Sequence, residues 1–108
     1  MSEYILVHLT TSSEVEAKKI IRFLLDKKLI ACATIIPNVT SLYLWKGEIE
    51  EETEVEVQLK TKDILFDKVR SLIEKHHSYQ TPQILKIPIS SANKAYLKWI
   101  DDSLLVGL

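Results

Sequence analysis

Between Thr53 and Thr61 apolar and polar residues alternate without a break, Val55, Val57 and Leu59 on one side and Glu54, Glu56, Gln58 and Lys60 on the other. That is the period of a half-buried strand. From Cys32 to Lys46 β-branched and aromatic residues dominate, which predicts a second strand. Gly47, one of two glycines in the chain, stands where the two must reverse, so together they predict one long β-hairpin. Pro37-Asn38 interrupts its first strand. Proline brings no N–H to the ladder, and a bulge or bend is expected there. A strand from Cys32 to Lys46 would extend about 50 Å at about 3.3 Å per residue, whereas a globule of this size has a radius of gyration of about 13 Å. The hairpin therefore outgrows its own domain. Its projecting part carries Val39, Leu42, Leu44 and Trp45, apolar surface and open strand edges that call for cover by another chain.

The remaining elements follow from the same patterns. Tyr4 to Thr10 is a near-continuous apolar run, which predicts a central strand covered on both faces. Ser13 and Glu16 have the spacing of a capping box, and the helix they open runs to about Lys28 with Ala17, Ile20, Ile21 and Leu24 on one stripe. Thr61 or Asp63 is expected to cap a second helix whose apolar positions, Leu65, Phe66, Val69, Leu72, Ile73 and His76, recur at helical spacing up to His77. Pro82 and Pro88 bracket a short edge strand, Gln83 to Ile87. A third helix from Ala92 to about Ser103 turns Ala95, Tyr96, Trp99 and Ile100 inward, and the apolar tail Leu104 to Leu108 is expected to dock. The order β-α-β-β-α-β predicts an α+β, ferredoxin-like fold: an antiparallel sheet with both main helices on one face, a long hairpin, and an extra C-terminal helix. The other face has no helix of its own, so sheet faces are expected to pack between subunits of a symmetric oligomer.

Composition narrows the function without naming it. The length of 108 residues points to one domain. A net charge of −1 from interspersed charges offers no basic stripe for nucleic acid and no one-sided field for a membrane surface. Met1-Ser2-Glu3 lacks the basic flank of a signal peptide, and no apolar run has the length of a membrane span. A single cysteine leaves no internal disulfide and suits a reducing compartment, so a cytoplasmic location is expected.

ACATIIPNVTSLYLWKGEIEEETEVEVQLKT, from Ala31 to Thr61, resembles the hairpin of the CutA divalent-cation tolerance proteins, A-C-x-x-I-x-P-G-x-S/T-S-x-Y-x-W-x-G followed by acids and L/I-K-T. HHSYQTPQILKIPI is similar to that family's H-H/x-P-Y-x-x-P-E-I-x-x-x-P-I segment, and YLKWIDDSL to its terminal helix. The resemblance spans about Leu6 to Ser103 and implies a homotrimer with interlocking hairpins, similar in architecture to PII-type signalling proteins, and a link to copper and other divalent metals. Four departures bear on it. Asn38 stands for the usual glycine, which asparagine's tolerance of left-handed angles permits. Ser78 stands for proline, which is expected to loosen the turn. Gln83 replaces a glutamate, and Leu9 falls where the family has a cysteine proposed as a copper ligand.

His76 and His77 match the family's histidine pair, and imidazole suits copper or zinc; alternatively His76 continues an apolar face and His77 caps the helix C-terminus. Cys32 is a soft ligand, a reactive thiol or a small buried hydrophobe, and mid-strand His8 is read as packed. Lys60, His77 and Tyr79, with Cys32, are expected at one polar cleft, where the hairpin's end, the second helix's end and the following turn meet. The acidic run Glu48, Glu50, Glu51, Glu52, Glu54, Glu56 attracts cations loosely, is simply solvated, or pairs with a neighbour's lysines. No nucleophile with an oriented base and no glycine-rich phosphate loop is legible. The sequence reading is thus a cytoplasmic homotrimer binding divalent cations, copper first, without catalysis. Its alternatives are a PII-like ligand-sensing trimer and an enzyme with an intersubunit cleft.

Overall fold

The structure is a computed structural model and describes residues 2–104. The elements are β1 (Tyr4–Thr11), α1 (Glu14–Asp26), β2 (Cys32–Trp45), β3 (Glu48–Lys62), α2 (Phe66–His76) after a single 3-10 turn (Asp63–Leu65), β4 (Ile84–Pro88) and α3 (Lys94–Ser103). The four strands form one sheet in the order β2-β3-β1-β4, with every neighbouring pair antiparallel. This is the ferredoxin-like arrangement. Alternation along β1 and β3 puts Ile5, Val7, Leu9, Val55, Val57 and Leu59 on one face, where they share a buried core with Ala17, Ile20 and Leu24 of α1 and Val69 and Ile73 of α2. Fully burying side chains of this kind contributes about 1.5–3 kcal/mol each, which is why both helices lie on that face.

The hairpin reverses through Lys46 and Gly47, both at positive φ (51° and 82°), the two-residue turn whose twist matches that of the strands. The register slips between Ile36 and Val39, and Asn38 sits there at φ 61°. The expected bulge is thus in place, with asparagine in the left-handed conformation. β1 leaves the ladder at Thr11, opposite Val55. Beyond that point, from Val39 to Glu54, the hairpin is a bare two-stranded ribbon, and the molecule measures 47 × 26 × 22 Å. Leu42, Leu44 and Ile49 on this ribbon are 65%, 73% and 76% exposed.

Four expectations change. β1 is central, but only alternate residues are buried, because the face carrying Tyr4, Leu6, His8 and Thr10 is only partly covered in one chain. Neither Thr61 nor Asp63 caps the second helix: Thr61 is a buried β3 residue whose hydroxyl donates to the Leu29 carbonyl (2.7 Å), and Asp63 pairs with Lys86 (2.7 Å). That second sheet face is not bare of helix either. Outward-facing Tyr4, Cys32 and Lys62 all reach α3: Tyr4 Oη donates to Asp101 (2.9 Å), Lys62 Nζ pairs with Asp101 (2.7 Å), and Cys32 Sγ meets Tyr96 Oη (3.2 Å). Within α3, Ala95 and Trp99 are exposed. The stripe that packs runs through Tyr96, Leu97 and Ile100 to Leu104, because one end of a sheet face admits only a narrow helix contact. Of the apolar tail, Leu104 is buried and 105–108 lie outside the described residues.

Candidate functional site

The α2–β4 connection is tied to the start of α1, and that tie begins with the capping box. Ser13 Oγ accepts the Glu16 N–H (3.1 Å), and Glu16 Oε1 accepts from the N–H and hydroxyl of Ser12 (3.1 and 2.9 Å). The second carboxylate oxygen of Glu16 accepts the backbone N–H of Ser78 (2.7 Å). Burial pushes the Glu16 carboxyl up, but the bonds from Ser78 and Ser12 outweigh it and bring it down from 4.5 to about 2. A proline at position 78 has no N–H to give. The serine therefore fastens this turn through a bond that a proline here could not make, where a looser turn was expected.

His77 follows immediately. Its side chain is 0% exposed, with Nε2 at 2.7 Å from the Thr10 carbonyl and Nδ1 accepting the Tyr79 N–H (3.0 Å). A ring that accepts at Nδ1 carries its proton on Nε2 and donates it to Thr10. The Tyr79 ring lies 4.6 Å from that imidazole, centroid to centroid, and its hydroxyl donates to Glu54 Oε2 (2.5 Å). The Tyr79 hydroxyl is held well above the ordinary phenol range by burial, by this bond, and by the charges of Glu54, Glu52 and Glu16. It thus keeps its proton and remains a donor. Thr10, His77, Tyr79 and Glu54 form a clamp between the end of α2 and the base of the ribbon.

Under this clamp the ribbon and the loop enclose an open cleft of about 660 Å³, lined by Tyr43, Trp45, Tyr79, Glu50, Glu52, Glu54 and neighbouring polar residues that include Thr10 and Gln83. Glu54 is only 7% exposed. Burial, and then a bond to Glu52, raise the Tyr43 hydroxyl as well. The cleft is negative and aromatic.

The four residues expected at one cleft divide between two ends of the sheet. His77 and Tyr79 belong to the acidic cleft. Lys60 and Cys32 face each other across β2 and β3 at the other end, with Lys60 Nζ donating to Thr34 Oγ1 at 3.5 Å and Cys32 beside Tyr96. Burial and the neighbouring thiol push the Tyr96 hydroxyl up to about 12. The separation follows from topology: β3 ends where α2 begins, so α2's length of 11 residues, about 16 Å at 1.5 Å per residue, carries His77 away from Lys60. His76 and His77 also part company. His76 is exposed and lies against Phe23 (4.6 Å between centroids), whereas His77 points inward. His8 is partly buried and bonded to Glu56 (3.1 Å), while Leu9 is a core residue on the helix side. Among the described residues no three His, Cys, Asp or Glu side chains converge on a point where a metal ion could sit. Within one chain the donor set therefore does not fit a closed metal site. Tyr43, Trp45 and Glu54 were not singled out for this cleft from the sequence. Their one sequence signal is the shared parity of Tyr43, Trp45, Glu50, Glu52 and Glu54 on one ribbon face.

The fold is that of a small α+β protein, a ferredoxin-like sheet whose hairpin outgrows it, and this chain carries an acidic cleft at the hairpin's base. The family model described as CutA1 divalent ion tolerance protein matches residues 5–103, and the chain belongs to this family, whose role is divalent-cation tolerance. A divalent-cation tolerance protein CutA of Yersinia pestis is 38% identical over 104 residues, covering 96% of this chain and 87% of the relative. The CutA1 structure from Ehrlichia chaffeensis is 38% identical with a TM-score of 0.89, covering 95% of this chain and 96% of that one. A structure described as the periplasmic divalent cation tolerance protein CutA of Archaeoglobus fulgidus is 40% identical with a TM-score of 0.90, covering 93% and 97%. CutA1 from Oryza sativa is 28% identical with a TM-score of 0.93, covering 97% and 96%.

Proposed function

We propose that this chain is the single-domain subunit of a cytoplasmic homotrimer that binds divalent cations, copper foremost, with no catalysis assigned to it. One observation carries the assembly: the ribbon from Val39 to Glu54 leaves its own sheet with Leu42, Leu44 and Ile49 largely in water. Surface of that kind marks an interface. The location rests on the lone cysteine, which suits a reducing compartment. Family membership supports the cation. In this reading the ion is exchangeable cargo rather than a caged structural metal, met by the exposed imidazole of His76 and by His77 where the ion displaces its present bonds. The proposed ligand-cleft residues Cys32, Lys60, His77 and Tyr79 are brought together only where two copies meet. A PII-like ligand-sensing trimer is the second reading, favoured by a cleft whose volume far exceeds a bare ion. Calorimetric titration with Cu²⁺ and Zn²⁺ decides between them. Binding that weakens about tenfold or more in His76→Ala or His77→Ala supports the metal reading. Heats that are equally weak in the wild type and both variants would sink it.

A further inference from the structure

The outward face of β3 reads Glu48, Glu50, Glu52, Glu54, Glu56, Gln58, Lys60, Lys62, acid at the ribbon end and base at the α3 end. Glu56 is paired with His8, and Lys62 with Glu3 and Asp101. What remains is unbalanced at both ends. Glu54 is nine-tenths buried, yet its carboxylate meets only the Tyr79 hydroxyl, and no lysine, arginine or histidine among the described residues pairs with Glu50, Glu52 or Glu54. A buried carboxylate without a cation is costly. Lys60 meets only the Thr34 hydroxyl. Glu54 and Lys60 cannot serve one another within a chain, because their positions in β3 set them about 20 Å apart along the strand.

We infer that in the assembled protein the Lys60 ammonium of a second copy enters this chain's acidic cleft and pairs with Glu52 and Glu54 beside Tyr43 and Tyr79. A face with acid at one end and base at the other is complementary to a copy of itself set head to tail, the kind of contact from which a ring is built when the rotation between copies closes. The cleft's aromatic walls suit an ammonium as well as its carboxylates do. Lys60 projects from the same outward sheet face as the cleft and is paired with no acid among the described residues, whereas Lys62 on that face is already engaged and Lys18, Lys19 and Lys68 belong to the helix layer. The contact would also unite Lys60 and Cys32 of one copy with His77 and Tyr79 of the next. This inference rests on the homotrimer proposed above and names the side chain that completes each boundary.

The test is a dilution series followed by light scattering on wild type, Lys60→Gln, Lys60→Glu, Glu52→Lys, and the double variant Lys60→Glu with Glu52→Lys, with circular dichroism to confirm folding. Lys60→Glu and Glu52→Lys are expected to dissociate at concentrations about 30-fold higher or more than wild type. Lys60→Gln should move the same way, and it carries the test if a reversed charge prevents folding. The double variant should recover most of the loss. Trimers of Lys60→Gln and Lys60→Glu as resistant to dilution as wild type would overturn the pairing and leave the trimer standing, as would a double variant no better than either single one. A wild type that remains a single chain at micromolar concentration would overturn both.

Discussion

Two lysines hold backbone angles that ordinarily go to glycine or asparagine. Lys28, at φ 56°, follows the end of α1. Its N–H bonds to the Leu25 carbonyl (2.9 Å) and that of Leu29 to Leu24 (3.0 Å), the pair of bonds that closes a Schellman cap. Lys46, at φ 51°, forms half of the hairpin turn. A left-handed non-glycine residue costs roughly 1–2 kcal/mol, so Lys28→Gly and Lys46→Asn are each expected to stabilise by about 0.5–1 kcal/mol. Thermal melts at one fixed protein concentration would read this as a higher Tm. Glu16 sets a pH dependence at the same scale. Its carboxyl is lowered from 4.5 to about 2 in the folded chain, so its contribution is complete above about 4.5 and is lost as the pH falls towards 2. Urea midpoints for wild type should decline through that window, and Glu16→Gln should flatten the decline.

Among the elements, α3 is held on the outward sheet face by the convergence of Tyr4 and Lys62 on Asp101. Lys62 and then Tyr4 draw the Asp101 carboxyl down. Asp101→Asn should loosen this helix selectively, seen as faster amide exchange over Lys94–Ser103 with α1 and α2 unaffected. Much of the element plan was legible from the sequence because short-range chemistry decides it. Strict alternation fixes β3, Ser13 and Glu16 fix the start of α1, and Pro37-Asn38 fixes the bulge. What escaped was decided at long range. Thr61 looks like a helix cap but is committed to Leu29, 32 positions away. The side of the sheet that α3 takes depends on Asp101 finding Tyr4 across the chain. The clamp from Tyr79 to Glu54 joins two segments whose patterns give no sign of each other, so histidine and tyrosine were legible as polar candidates while their buried acidic partner was not. Tyr79→Phe leaves Glu54 without its donor and should cost about 1–3 kcal/mol of stability.

For the whole molecule, the core and the ribbon are separable. The buried residues of β1, β3, α1 and α2 include none from Leu42 to Ile49. Replacing Leu42, Leu44 and Ile49 together with serine should therefore leave the chain's circular dichroism intact while shifting light scattering from the proposed trimer towards single chains. Loss of the fold along with the assembly would show that the ribbon serves its own chain instead. The same separation bears on biosynthesis. In the proposed trimer a newly made copy carries an adhesive two-stranded flap with open hydrogen-bonding edges until it meets a sister. In the proposed assembly abundance therefore matters directly: the scarcer the copies, the larger the share of them whose flap stays uncovered.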